Sequence, residues 1–204
     1  MNFLITNNNK TWNNIELISN LPIQESNPNY YFQTFNSLNL AKFLYPSYFN
    51  CPNPILWQVS SQELPIKSNG FLNYYSIIIP EKPLEIVFPS HQQKLLFAIL
   101  TAFNVVQNPL FLKWIKRYLN DFDLKATQTL SNSLYELYEA NLSPQNQYFN
   151  CLHPLLFGIL NNKEEYFAYS VIRAYYDFPN LDLEKIANII LNLNFQEIKE
   201  ILTL

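Results

Sequence analysis

The sequence predicts an α+β protein, in which a small N-terminal sheet with one short helix precedes a C-terminal bundle of about five to six helices. Residues 1–89 carry short β-prone runs separated by prolines, whereas residues 90–204 carry apolar side chains at helical spacing. Apolar residues make up 49% of the 204 positions, enough to fill a core. The change of period indicates a strand-rich α/β part, 1–89, and a helical part, 90–204. Because the first part has few charges to solvate a surface of its own, one compact body is the alternative.

The N-terminal part is predicted as short strands around one helix. Ser37 has the side chain of a helix N-cap, and Pro46 is expected to stop the helix that begins there. Residues 55–59 and 72–79 are predicted strands because they are rich in β-branched and aromatic side chains. The prolines within 80–89 predict that the last strands are short or lie at an edge of the sheet, since proline cannot donate to a strand ladder.

Helix start signals divide the C-terminal part. A Ser-to-Gln pair at Ser90 matches a capping box, and an Asn-Pro pair at Asn108 matches an N-cap with proline in the first turn. An Asn-to-Glu pair at Asn194 predicts a break inside the last helix. Residues 143–148 are predicted as a loop. The predicted helices are 90–106, one that begins at 109, 123–141, 152–160, 163–177 and 182–203.

Composition and charge narrow the class of protein. Only 14% of residues are charged and the net charge is −3, so no strong positive field attracts nucleic acid or an anionic membrane. The first ten residues lack the basic and apolar regions of a secretory signal. The longest apolar run, 95–106, is shorter than the ~20 residues that span a bilayer. We therefore expect a soluble cytoplasmic protein without a membrane partner, and a nucleic-acid partner is disfavoured.

The chain contains two cysteines, and both lie in a recurring motif. YFNCPNP occupies 48–54 and YFNCLHP occupies 148–154, yet the flanking residues differ and continue as a predicted strand and a predicted helix. We therefore interpret the recurrence as chance rather than duplication. A zinc site needs about four ligands, and Cys151 with His153 is the one closely spaced pair, so no metal site is predicted. Reduced, buried thiols are favoured in a cytoplasmic chain, and a disulfide between Cys51 and Cys151 stays open as the alternative.

Candidate catalytic residues are few. A nucleophilic cysteine needs a positioned base, and Cys151 has His153 two residues away and His91 elsewhere in the chain. Side chains two residues apart rarely face each other, and His91 is expected at the surface in the first turn of a helix. No glycine-rich phosphate loop, HExxH or GxSxG motif is present, and no cofactor is predicted. An enzyme that uses these three residues where the sheet meets the helices is kept as an alternative.

A basic cluster lies in the second predicted helix. Lys113, Lys116 and Arg117 surround Trp114, and basic residues interleaved with an aromatic side chain can bind nucleic acid. Cations in the last turns of a helix also stabilise its negative dipole end, with Trp114 then facing the core. We prefer this second interpretation, and weak nucleic-acid binding stays an alternative.

A stripe of tyrosines lies on the helix predicted for 163–177. At helical spacing, one face of that helix carries Tyr166, Tyr169, Arg173 and Tyr176. Tyr and Arg are enriched in protein interfaces. The stripe is therefore the candidate protein-binding surface, and ordinary packing with only the hydroxyls exposed is the competing interpretation.

A resemblance to known proteins rests on six short segments, 54–59 (PILWQV), 77–80 (IIIP), 91–100 (HQQKLLFAIL), 111–114 (FLKW), 118–119 (YL) and 181–187 (LDLEKIA). Together these segments resemble a loose family of uncharacterised phage and bacterial proteins, which pair a small α/β N-terminal part with a helical C-terminal part. Members often carry Gly-x-His in the strand before the short helix, where this chain reads YFQTF at 31–35. The resemblance implies the two-part architecture and no established activity.

These observations favour a non-enzymatic protein that acts by protein–protein contact. The side chains capable of chemistry are scattered, and each has an ordinary structural role. The resemblance adds the expectation of an accessory or regulatory factor from a phage, a mobile element or a bacterial host. A protein partner or a homodimer is expected. The alternatives are an enzyme that uses Cys151, His153 or His91, and a weak nucleic-acid binder that uses 113–117.

Overall fold

The computed structural model describes residues 1–7, 11–12, 15–25, 30–48, 53–139 and 143–203 of the chain. Contacts divide the chain into two compact units, Met1–Phe88 and Pro89–Leu204. Among the described residues, the first unit contains the strands and one helix, and the second contains only helices. The predicted α+β class is confirmed. Seven helices are described in the second unit, where the sequence predicted about five to six.

The first unit is built on one antiparallel sheet. Its described elements are β1 Asn2–Thr6, β2 Thr11–Trp12, β3 Ile15–Glu16, β4 Ile23–Gln24, β5 Phe32–Phe35, α1 Leu38–Tyr48, β6 Ile55–Ser60, β7 Lys67–Ser68, β8 Leu72–Tyr75 and β9 Ile77–Leu84. The sheet has the order β4-β9-β6-β1-β5-β8-β7, and β2 pairs with β3 separately. Because β1 lies at the centre, its residues Phe3, Leu4 and Ile5 are buried on both faces of the sheet.

One face of the sheet carries a hydrophobic cluster. Leu4 lies opposite Trp57 in the ladder, and Phe32 lies opposite Tyr75, so these side chains share a face. The cluster also contains Leu17, Val59 and Ile78. The indole nitrogen of Trp57 donates a hydrogen bond of 3.2 Å to the hydroxyl of Thr6, which satisfies the polar atom of a side chain that is 2% exposed.

Helix α1 contacts β1 and β5. The amide of Leu40 donates to Oγ of Ser37 at 3.2 Å, so the predicted N-cap is confirmed. The prediction that Pro46 stops this helix is wrong, because α1 continues to Tyr48. A proline removes one amide donor but its fixed φ is helical, and the complete burial of side chains such as Leu44 stabilises the helix before it.

The strand predicted at 72–79 is two strands. Ser76 interrupts it, so that β8 pairs with β5 whereas β9 pairs with β6, on the other side of β1. Pro80 and Pro83 lie in β9 beyond Ile78, the last residue that β4 pairs. From there on β9 has no outer strand partner among the described residues, as the prolines predict.

The second unit is a bundle around a central helix. Its helices are α2 His91–Val105, α3 Pro109–Asp121, α4 Leu124–Glu139, α5 Ser143–Asn161, α6 Glu164–Asp177, α7 Leu183–Asn192 and α8 Phe195–Thr203. Helix α2 contacts α5, α6, α7 and α8, and residues 94–102 are all buried, as its nearly continuous apolar sequence predicts. None of the helices that the structure describes is long and apolar enough to cross a bilayer.

The predicted helix caps are confirmed. The amide of Gln93 donates to Oγ of Ser90 at 3.2 Å, and the amide of Ser90 donates to Oε1 of Gln93 at 2.9 Å, which completes the capping box. Asn108 accepts a backbone amide at 2.8 Å at the start of α3. Asn194 and Glu197 cap each other's amides at the start of α8, so the predicted break before this helix is present.

Helix α5 runs through Pro154, and the loop predicted at 143–148 is wrong because these residues belong to this helix. Proline has no amide to donate to the carbonyl of Asn150, four residues earlier. The next carbonyl, that of Cys151, accepts a hydrogen bond of 2.6 Å from the buried hydroxyl of Ser170 on α6. Packing against α4 and α6 therefore stabilises a helix that its own backbone ladder supports incompletely.

The close approach of α5 and α6 depends on a glycine. A Cβ atom at Gly158 would lie 2.8 Å from a ring carbon of Phe167 and 3.0 Å from the carbonyl oxygen of Lys163. The amide of Lys163 donates to the carbonyl of Gly158 at 2.9 Å and ends α5. Any side chain at this position would require the Phe167 ring to move.

Asparagine supplies most of the left-handed backbone that the structure describes. Asn20, Asn53 and Asn162 have φ angles of 63°, 54° and 54°. Asparagine tolerates this conformation better than most residues, and the chain has only two glycines. Phe122 is the bulky exception, with φ of 50° at the end of α3, and its ring stacks on that of Phe195 at 6.0 Å.

Candidate functional site

The thiol of Cys151 lies inside the helical unit. The side chain is fully buried, and Sγ donates to the carbonyl oxygen of Tyr148 at 3.3 Å. Burial, with a smaller contribution from the negative charge of Asp177, raises the pKa of this thiol to about 12. Because the thiolate is the reactive form, Cys151 is an unreactive packing residue.

His153 lies on a different face of α5. Its Nε2 makes a hydrogen bond with the hydroxyl of Tyr135 on α4, and its ring stacks on Phe149 with the centroids 5.0 Å apart. Partial burial among these rings lowers the pKa of His153 below its ordinary value. His153 therefore interacts with aromatic side chains and not with Cys151.

His91 lies at the start of α2, where it contacts the first turn of α6. Its Nδ1 is 3.1 Å from Oε1 of Glu164, and its ring meets Phe167 edge to face at 5.3 Å. The other oxygen of Glu164 pairs with the ammonium of Lys94, a side chain only 7% exposed. Sequence reasoning placed His91 at the surface but missed Lys94, whose charge is compensated by Glu164.

The three catalytic candidates thus lie in three different environments: the Cys151 thiol is buried, the His153 ring is stacked on Phe149, and the His91 ring lies beside the carboxylate of Glu164. Cys51, the other cysteine, lies outside the described residues. The alternative of a disulfide between Cys51 and Cys151 therefore stays a prediction. Across the part of the chain that the structure describes, no three side chains of His, Cys, Asp or Glu come together as metal ligands.

The basic cluster of α3 is exposed on one side and packed on the other. Lys113, Lys116 and Arg117 are exposed, and Arg117 forms an ion pair of 2.5 Å with Asp123. Trp114 faces the core as predicted, 4% exposed, and its indole nitrogen donates to Oγ1 of Thr127 at 3.0 Å. Helix α3 continues for four residues beyond Arg117, so Lys116 and Arg117 lie within its last two turns, and its final turn carries no cation.

The tyrosine stripe of α6 divides into two environments. Arg173 donates from Nε to the hydroxyl of Tyr169 at 2.7 Å, and its guanidinium lies 4.8 Å from the centre of that ring. Tyr176, one turn further, is 53% exposed. Tyr166, by contrast, packs on Phe157 of α5 with the ring centroids 4.6 Å apart.

Tyr166 is one end of a larger set of rings that sequence reasoning missed. Six rings, which we call the aromatic surface, form a continuous band over three helices: Tyr135 and Tyr138 on α4, Phe149, His153 and Phe157 on α5, and Tyr166 on α6. The centroid distances are 4.3 Å for Tyr138–Phe149, 5.4 Å for Tyr135–Phe149, 5.0 Å for Phe149–His153, 6.2 Å for His153–Phe157 and 4.6 Å for Phe157–Tyr166.

The spacing of these residues explains the band. Phe149, His153 and Phe157 recur every four residues and therefore line one face of α5. Tyr135 and Tyr138, three residues apart, do the same on α4. This spacing is visible in the sequence, but the predicted loop at 143–148 and the predicted helix at 152–160 leave Phe149 outside any helix.

The aromatic surface is accessible to solvent. Tyr135 and Tyr138 are 44% and 48% exposed, and the other four rings are half-buried. The ammonium of Lys163 lies 5.9 Å from the centre of the Tyr166 ring, at one end of the band. Rigid aromatic rings can bury a large area against a partner at a low cost in conformational entropy.

Comparison of the chain with protein-family models, with curated proteins and with solved structures finds no match.

Proposed function

We propose that this protein acts by contact with another protein rather than by catalysis, and that the aromatic surface is the contact. The observation that supports the proposal is the continuous band of six rings, two of them nearly half exposed. Hot spots of protein interfaces are enriched in aromatic residues that cluster and pack closely. A homodimer through this surface is the simplest form, since a twofold interface brings the same patch of both copies into contact.

Catalysis has less support from the same residues. The thiol of Cys151 is fully buried and has a pKa of about 12, and His153 is engaged with Tyr135. His91 and Glu164 are near each other, but Glu164 is also the partner of a buried lysine. An accessory or regulatory role, in which binding is the activity, fits these residues better.

The first experiment measures self-association. Size exclusion with light scattering over a wide range of protein concentration should give the mass of a dimer for the unmodified protein. Tyr138→Ala should weaken the dimer and raise its dissociation constant by about tenfold or more, since aromatic hot spots contribute on this scale. Tyr30→Ala is the matched control, because Tyr30 is 55% exposed but lies in the first unit.

A second experiment covers a different protein as partner. A photo-crosslinking amino acid at position 138 should trap a protein adduct in the cells that express the chain, and the same group at position 30 should not. A protein that stays monomeric and forms no adduct specific to position 138 would contradict the proposal.

A further inference from the structure

A groove between α3 and α4 shares no residue with the aromatic surface. It has a volume of about 170 Å³ and is lined by both helices. Trp114 and Leu130 give it buried apolar walls, and Leu110 is 52% exposed beside them. The α4 side also includes Thr129, a small side chain that leaves the groove open to solvent.

The α3 side of the groove is positively charged. Lys113 and Arg117 both line it and are one helical turn apart. Arg117 forms an ion pair with Oδ2 of Asp123. The other carboxylate oxygen of Asp123 accepts a hydrogen bond of 2.8 Å from the amide of Ala126 and caps α4. Lys113 forms no ion pair with any residue that the structure describes. The groove therefore places an uncompensated cation beside exposed apolar surface.

We propose that the α3–α4 groove binds an acidic amphipathic peptide segment of another protein. An apolar side chain of the segment packs against Leu110 and Leu130, and its carboxylates pair with Lys113 and with the free donors of Arg117. Charge complementarity favours an acidic partner, and the apolar lining favours one with an aliphatic or aromatic anchor.

The size of the groove argues for a peptide over other ligands. Pockets for drug-sized molecules run from about 300 Å³ upward, so this groove accommodates one or two side chains and not a whole cofactor. Nucleic acid is disfavoured because the protein carries a net charge of −3 and only two cations line the groove. The proposal does not rest on the aromatic surface and can fail or succeed without it.

The test uses the full chain and fluorescence anisotropy at about 150 mM salt, where distant charges are screened. The probe is a fluorescein-labelled peptide of about 15 residues, long enough to form a helix, with leucine on one face and glutamate beside it. A second peptide carries glutamine in place of each glutamate. A labelled single-stranded oligonucleotide reports nucleic-acid binding.

Two pairs of variants separate the groove from its surroundings. Lys113→Glu and Lys116→Glu change the net charge equally, but only Lys113 lines the groove. Thr129→Phe fills the groove, whereas Asn132→Phe adds the same ring at an exposed position of α4 outside it. Thermal melting of each variant checks that the helical unit is folded.

The expected result is saturable binding of the acidic peptide, weakened about tenfold or more by Lys113→Glu and by Thr129→Phe, and changed about twofold or less by the two controls. The glutamine peptide should bind more weakly than the acidic one. The proposal is overturned if the acidic peptide does not saturate the protein by roughly 100 μM. Equal effects of Lys113→Glu and Lys116→Glu, or tighter binding of the oligonucleotide, also overturn it. Because Tyr138→Ala does not alter the groove, it should leave peptide binding unchanged.

Discussion

The hydroxyl of Ser170 on α6 donates a hydrogen bond of 2.6 Å to the carbonyl oxygen of Cys151 on α5. Both residues are buried, and the bond joins the two helices one residue after the carbonyl that Pro154 leaves without its helical donor. The hydrogen bond from α6 therefore lies next to the gap that Pro154 leaves in the α5 ladder.

Ser170→Ala should lower the free energy of unfolding by about 1–2 kcal/mol, since it removes a buried hydrogen bond without a replacement. Urea unfolding measures the change. Thr129→Ala is the matched control, because Thr129 makes a similar bond of 2.9 Å to the carbonyl of Lys125 at an exposed position. The free energy of unfolding of this control should differ from that of the unmodified protein by less than about 0.5 kcal/mol. Equal effects of the two substitutions would show that the attachment to α5 is unimportant.

Two buried tryptophans each donate an indole N–H to a threonine, Trp57 to Thr6 at 3.2 Å and Trp114 to Thr127 at 3.0 Å. Valine has nearly the shape of threonine but no hydroxyl. Thr6→Val and Thr127→Val should therefore each lower the free energy of unfolding by about 1–3 kcal/mol, because an unpaired donor is left buried. Chemical denaturation followed by tryptophan fluorescence measures this. Stability within about 0.5 kcal/mol of the unmodified protein would show that these bonds contribute little.

Gly158→Ala should destabilise the protein although alanine is the better helix former by about 1 kcal/mol. The new methyl group would approach the Phe167 ring at 2.8 Å, and overpacking of this kind costs about 1–3 kcal/mol. The melting temperature should fall, and the double variant with Phe167→Leu should recover part of the loss. A rise in melting temperature for Gly158→Ala alone would mean that the ring moves aside freely.

Stability should decrease as the pH falls below the ordinary histidine pKa, and His153 should contribute to the decrease. Burial lowers the pKa of His153 in the folded protein from the ordinary value of 6.5. Between these two values the unfolded chain binds a proton that the folded protein does not, so the free energy of unfolding falls with pH. The stability that neutral His153 contributes is fully present above its pKa in the unfolded chain. It is lost completely below its pKa in the folded protein.

Urea unfolding at about pH 7.5 and pH 5.5, on either side of the ordinary histidine pKa, measures this dependence. His153→Phe keeps the stack on Phe149 but cannot be protonated, so its stability should fall less over the same interval. If His153→Phe and the unmodified protein lose equal stability, the imidazole is protonated alike in the folded and unfolded states.

Cys151 should resist alkylation in the folded protein. Its thiol is fully buried with a pKa of about 12, so the thiolate is scarce at neutral pH and the reagent has no access. Iodoacetamide at about pH 8, followed by peptide mapping, should modify Cys151 only after urea is added. Rapid modification without urea would contradict the placement of this side chain inside the bundle.

Local signals made much of the fold predictable. The caps at Ser37, Ser90, Asn108 and Asn194 were identified from residue type and spacing, because a cap is an interaction within one turn of the chain. Central burial of α2 followed from its apolar sequence alone.

The errors share one physical origin, which is that tertiary packing overrides local propensity. Pro46 was expected to end a helix, yet both Pro46 and Pro154 lie inside helices that buried neighbouring side chains stabilise. Ser76 divides a continuous β-prone run into two strands. Strand β8 lies on one side of the central strand β1, and β9 lies on the other. The aromatic surface required knowledge of which helices are neighbours, and spacing within one helix does not supply it.

The scarcity of glycine also affects the denatured ensemble. Asn20, Asn53 and Asn162 adopt left-handed backbone where many chains place glycine. Asparagine explores fewer backbone states than glycine before folding, so ordering each of these turns forfeits less conformational freedom. Asparagine at these three positions therefore lowers the entropy cost of folding relative to glycine.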